Sequence, residues 1–134
     1  MQTATQALPN SRTTLWAGRI ISALVVAFLI FDGVIKVLKL GPAIEATVQL
    51  GYPESLIIGI GIMELACLAL YVFPRTNVLG AILLTGHLGG AIASQVRIDA
   101  PTFNIVFAIM IGVLMWGGIY LRDEQLRALI PLRR

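Results

Sequence analysis

Residues 57–73 read IIGIGIMELACLALYVF, and the one charged side chain in the run is Glu64. Every other position is apolar, aromatic or glycine. A helix needs about 20 such residues to cross a bilayer. An acid at the centre of such a helix costs about 2.5–3.5 kcal/mol on insertion scales, so a carboxylate there calls for a partner or a task.

The rest of the chain has the same character. Of its 134 residues, 57% are hydrophobic and 13% are charged, and the mean hydropathy is +0.87. Soluble domains are about 45–50% apolar and about 25% charged. A globule this small cannot hide the excess, because small domains bury a limited share of their surface. A single domain with lipid as its solvent is expected.

Four runs are long enough to span: 16–40, 55–73, 77–96 and 102–121. Strict polar–apolar alternation is absent, which argues against a β-barrel. Short joints at 74–76 and 97–101 force neighbouring helices antiparallel. The longer joint, GPAIEATVQLGYPE at 41–54, has Pro42 at a helix start and Gly51 at a helix end, with Ile44 and Val48 on one face. The expected fold is all-α: an integral membrane four-helix up-down bundle with a short interfacial helix between spans 1 and 2. Residues 1–15 read as a flexible polar segment, 16–121 as the bundle, and 122–134 as a cytoplasmic amphipathic tail with Leu126, Leu129 and Ile130 on one face. The first span carries Asp32, Gly33 and Lys36 with no small-residue cleavage site after it, so it reads as a retained span.

The net charge is +3, and the basic residues cluster at the ends of apolar runs, where they anchor helices at headgroups. No basic stripe or motif marks a nucleic-acid binder. Arg12, Arg19, Arg75, Arg122, Arg127, Arg133 and Arg134 fall on one side, and Lys36, Lys39 and Arg97 on the other. That asymmetry predicts both termini in the cytoplasm. A single cysteine, Cys67, excludes an internal disulfide and a CxxC centre. Gly86, Gly90 and Ser94 on span three, and Ala108 and Gly112 on span four, recur at four-residue spacing and predict close helix packing.

Three ionisable groups are expected at one depth. Glu64 and His87 sit at the middles of spans two and three, and Asp32 lies within about two turns of the middle of span one, at about 1.5 Å per residue. Asp32, Glu64 and His87 are the candidate catalytic residues, and Lys36, Tyr71, Gln95 and Asn104 the candidate ligand-binding ones. Structural explanations stand beside each. Asp32 pairs with Lys36 one turn on, Glu64 serves as hydrogen-bonding glue between helices, His87 is a satisfied core histidine, and Gln95 and Asn104 make contacts at span ends. If the three groups meet, a Glu–His pair can share a proton, which suits hydrogen bonding to a quinone, acid–base catalysis or a proton relay. No local metal-binding motif is present.

Several stretches carry a family likeness: DGVIKV at 32–37, LGYP at 50–53, YVFPRTNVLGAILLTGHLGGAIASQVR at 71–97 and WGGIYLRDEQLRALIPLRR at 116–134. On these the chain resembles the DoxX-like family of small four-helix membrane proteins. The resemblance implies a four-span bundle in a bacterial cytoplasmic (inner) membrane and association with quinone-linked oxidoreductases. Family patterns often place a His at the position of Gln95 and an aromatic at that of His87, so this chain carries its histidine two turns earlier on the same face.

The leading expectation is a small subunit of, or partner to, a quinone-linked membrane oxidoreductase, binding a lipophilic small molecule at the Glu/His/Asp layer. No cofactor is expected within the chain other than a quinone. Its partners would be the bilayer, other oxidoreductase subunits or further copies of itself, and not nucleic acid. One alternative is a stand-alone membrane enzyme isomerising, cyclising or opening epoxides of hydrophobic substrates. Another is a structural or assembly protein.

Overall fold

The computed structural model describes residues 12–129, so the first part of the polar N-terminal segment, Ile130 and the last two arginines lie outside the described residues. Among the described residues six α-helices follow one another: α1 (Arg12–Val37), α2 (Gly41–Gln49), α3 (Ile57–Val72), α4 (Asn77–Arg97), α5 (Thr102–Arg122) and α6 (Glu124–Leu129), with a 3-10 turn at Glu54–Leu56 leading into α3. Among these residues four stretches are long and apolar enough to cross a membrane: Arg12–Val37, Glu54–Val72, Asn77–Arg97 and Thr102–Arg122. The chain is an all-helical, multi-pass membrane protein.

The breaks between helices have local causes. α1 stops three residues short of the expected position 40 because Lys39 takes a left-handed backbone, φ 54°. There the Leu40 N–H reaches back to the Ile35 carbonyl at 3.0 Å, closing the last turn as a C-terminal cap does. Asp99, φ 52°, ends α4 in the same way, with the Ala100 N–H on the Gln95 carbonyl at 3.0 Å. Gly51, φ 92°, ends α2. Phe73 precedes Pro74 and is extended, which ends α3. The Asp123 carboxylate accepts the Gln125 N–H at 2.9 Å and so starts α6. Residues 12–15 of the segment expected to be flexible are helical, part of α1.

The four long helices pack in a closed ring in which α1 touches α3 and α5, and α4 touches α3 and α5. Short joints and this cyclic order make an up-down bundle. Its core runs through Val25, Leu29, Leu68, Leu84, Met115 and Ile119. Leu24, Phe31, Ile62, Ile82, Phe103 and Val113 point outward and exposed, as a lipid-facing surface requires. Hydrogen bonds from side chains knit the half of the bundle nearer Tyr71. The Tyr71 hydroxyl donates to the Met115 carbonyl at 2.8 Å and accepts from Ser22 at 3.1 Å, joining α3, α5 and α1.

Small residues produce the close crossings, though not where their spacing suggested. A side chain added at Gly18 would meet the Gly118 carbonyl at 2.8 Å, and one at Gly61 the Gly33 carbonyl at 2.9 Å. One at Gly80 would run into the Tyr71 backbone. Gly86 and Gly90, expected to form a packing ridge, have nothing within 4 Å of such an added carbon. The buried face of α4 is made by Gly80, Ala81, Leu84 and Leu88, and this rotation turns Gly86 and Gly90 away from the bundle core. They border a cavity instead.

Candidate functional site

Glu64 is fully buried on α3 and lies at the centre of a four-residue group. Its Oε2 accepts a hydrogen bond from Lys36 Nζ at 2.8 Å and lies 3.3 Å from His87 Nε2. Lys36 Nζ also donates to Asp32 Oδ2 at 2.6 Å, one helical turn away on α1. The sequence-derived trio of Asp32, Glu64 and His87 is therefore brought into one group, and Lys36 is the bridge that joins Asp32 to Glu64. The other carboxylate oxygen, Glu64 Oε1, has no hydrogen-bond partner among the described residues.

Burial gives this group its logic. Two carboxylates, one ammonium and one imidazole sum to zero charge when they hold one further proton. An unbalanced charge in a low-dielectric interior is costly. A proton shared between Glu64 and His87 leaves the layer neutral. Fixing Nε2 of His87 on the carboxylate orients the ring and leaves Nδ1 as the nitrogen that can face a ligand.

Beside the group lies a cavity of about 540 Å³ between α3 and α4. Lys36 and His87 form its polar wall. Ile60, Met63 and Cys67 of α3 face Leu83, Gly86, Gly90 and Ala91 of α4 across it. Thr47 and Leu50, from α2 and its end, close the end farthest from the predicted cytoplasmic side together with Tyr52 and Ser94. Apolar clefts of about 300–1,000 Å³ with a few convergent polar groups are the usual form of a small-molecule site.

Lys36 is placed at this site, whereas the other three candidate ligand-binding residues are not. Tyr71, two turns along the same buried face of α3 from Glu64, is committed to Ser22 and Met115. The Asn104 amide approaches Gln95 Oε1 at 3.4 Å, on the exposed ends of α4 and α5. Sequence reasoning missed Tyr52 and Ser94, whose hydroxyls are 2.8 Å apart, and the cavity role of Cys67. Tyr52 carried a usable signal, an amphipathic ring in the joint LGYP next to the interfacial helix. The Lys36–Glu64 contact had none, since it depends on how α1 and α3 are rotated against each other. Among the described residues no group of three or more His, Cys, Asp or Glu is arranged to hold a metal ion.

Comparison with curated proteins and with solved structures gives no match. The model of the DoxX-like family matches residues 20–118, which takes in the second and third spans whole, most of the first and fourth, the buried group and the cavity wall. The chain belongs to the DoxX-like family.

Proposed function

We propose that this protein binds a quinone in the cavity between α3 and α4 and serves a quinone-linked membrane oxidoreductase as a small subunit or partner, in a bacterial inner membrane with both termini cytoplasmic. The observation that carries the reading is a mostly apolar, drug-sized cavity whose ionisable nitrogen groups, Lys36 and His87, are both fastened to the buried Glu64. Lys36 uses two of its three N–H donors on Asp32 and Glu64, which leaves one for a ligand oxygen. His87 Nδ1 accepts a hydrogen bond when the ring is neutral and donates one when it is protonated. A carbonyl oxygen needs a donor, and the hydroxyl it becomes on reduction also offers a proton, so this pair of groups suits both forms of a quinone. A bound quinone would supply the electron-carrying chemistry. The chain's own residues would orient the head group, exclude water and hold a proton at the Glu64–His87 pair.

The test is titration of the purified protein in lipid nanodiscs with a decyl-tailed ubiquinone. The wild type should bind saturably, and His87→Ala and Lys36→Met should each weaken binding about tenfold, the loss of one good hydrogen bond. Absence of saturable binding to the wild type would overturn the reading. Quinol turnover of host membranes that is unchanged by His87→Ala would remove the oxidoreductase link.

One observation favours a second reading. His87 is backed by a buried carboxylate and faces an apolar cavity, as a general base does. Conversion of a hydrophobic substrate by the purified protein alone, lost in His87→Ala, would establish an acid–base enzyme instead.

A further inference from the structure

We propose that the cavity is filled sideways from the bilayer, through a mouth between α3 and α4 edged by Met63, Gly86 and Gly90, and that Tyr52 and the end of α2 seal it against water. The inference rests on the reading of the cavity as a quinone site and adds the route and the state of the ligand: a membrane-dissolved molecule whose head enters and whose tail stays in lipid.

Two routes lead to the cavity, and they are built differently. The end-on route from the aqueous side is tied shut. The Tyr52 hydroxyl donates to Ser94 Oγ at 2.8 Å, and Ser94 in turn donates to the Gly90 carbonyl at 2.8 Å. Arg97 donates to the Leu50 carbonyl at 2.5 Å and lies 6.0 Å from the Tyr52 ring centre. These contacts fasten the segment after α2 to the end of α4, directly over the cavity.

The sideways route has no such tie. Gly86 and Gly90 are exposed, line the cavity and have nothing within 4 Å of the place where a side chain would begin. Opposite them Met63 is 50% exposed, and its unbranched thioether chain is the most adaptable of apolar side chains. The rim carries no charged or hydrogen-bonding side chain, so lipid tails can stand against it without leaving a polar group unsatisfied. A cavity of about 540 Å³ holds a drug-sized head group. A long isoprenoid tail has to lie elsewhere, and a mouth on the lipid face lets it do so.

Cys67 lines the cavity and is the only cysteine in the chain, so it reports on both routes without engineering. The protein in liposomes is treated with a lipophilic maleimide or with a sulfonated, membrane-impermeant one present on both sides, in the absence of quinone. Thiol labelling follows access, so the lipophilic reagent should react at least about tenfold faster. Gly86→Leu combined with Gly90→Leu should slow the lipophilic reagent about tenfold by filling the mouth, whereas Gly89→Leu, in open space on the same helix but off the cavity wall, should not. Tyr52→Phe combined with Arg97→Ala should speed the sulfonated reagent. Equal labelling of the wild type by the two reagents would overturn the proposal, as would full-rate lipophilic labelling of the filled-mouth variant. Circular dichroism and gel filtration check that each variant is folded, and the wild-type comparison decides even if a variant is not. Decyl-tailed ubiquinone, whose ring is fully substituted and cannot add a thiol, is then tested for protection of Cys67. Loss of protection with the labelling pattern intact would remove the quinone and leave the route standing.

Discussion

Glu64 and Lys36, 28 residues apart in sequence, meet at 2.8 Å and tie α3 to α1, with the carboxylate fully buried and the ammonium largely so. Asp32 and His87 complete the same contact set from either side. Removing one partner of a buried pair leaves the other uncompensated, at a cost of about 3–5 kcal/mol. Glu64→Leu and Lys36→Met should therefore each lower thermal stability in detergent sharply. The double variant should lose clearly less than the sum of the two, because the stranded charge is gone. Additive losses would show that the two side chains do not interact.

Tyr71 tests the division between scaffold and site. Its hydroxyl joins α3, α5 and α1 and does not touch the cavity. Tyr71→Phe should cost about 1–3 kcal/mol, the penalty for leaving buried partners unpaired, and should leave quinone affinity unchanged. Melting curves and the nanodisc titration measure the two effects separately.

Glycines on one helix should respond in opposite ways. A methyl group at Gly80 meets the Tyr71 backbone, which cannot swing aside as a side chain tip can. Gly80→Ala should push α3 and α4 apart and lose most of the folded, monodisperse protein in gel filtration. Gly86→Ala adds the same methyl group to open space. It should be at least as stable as the wild type, since Ala favours a helix over Gly by about 1 kcal/mol.

Gly51 combines a backbone requirement with a packing one. Its φ of 92° is costly for any other residue, and an added carbon would sit 2.8 Å from the Arg97 guanidinium. Gly51→Ala should cost about 1–2 kcal/mol from the left-handed backbone alone. It should also displace Arg97 and raise labelling of Cys67 by a water-soluble reagent.

Topology is open to a direct check. Seven arginines on one side against three basic residues on the other predict a cytoplasmic C-terminus. A C-terminal fusion to green fluorescent protein should be bright, and the matching alkaline phosphatase fusion inactive. The reverse pattern would invert the bundle.

The four spans were legible because lipid imposes a length and a composition that runs such as 57–73 and 102–121 announce without any tertiary information. The surface helix was legible from Pro42 and Gly51, whose backbone needs are local. Depth was legible too, since Glu64 and His87 fall at the middles of their apolar runs. Rotation about the helix axis was not. The same spacing of Gly86, Gly90 and Ser94 fits a packing ridge or a cavity wall, and the choice falls to Ala81, Leu84 and Leu88, which claim the buried face. Lys36 stood as a candidate ligand-binding residue and as a partner for Asp32, and spacing did not show which way it points. It turns inward because a fully buried carboxylate on another helix stands within its reach.

The contact between Gly80 and Tyr71 has a mechanical side. α3 and α4 touch backbone to backbone there, and about 15 Å farther along α4, at about 1.5 Å per residue, Gly90 stands clear of α3 with the cavity between. The two helices are the arms of a pair of tweezers, joined at Gly80 and Tyr71 and bridged at the tips by Tyr52 and Ser94. A fraction of an ångström at the pivot becomes a larger displacement at the tips, so the width offered to a ligand is set by a glycine that no ligand touches.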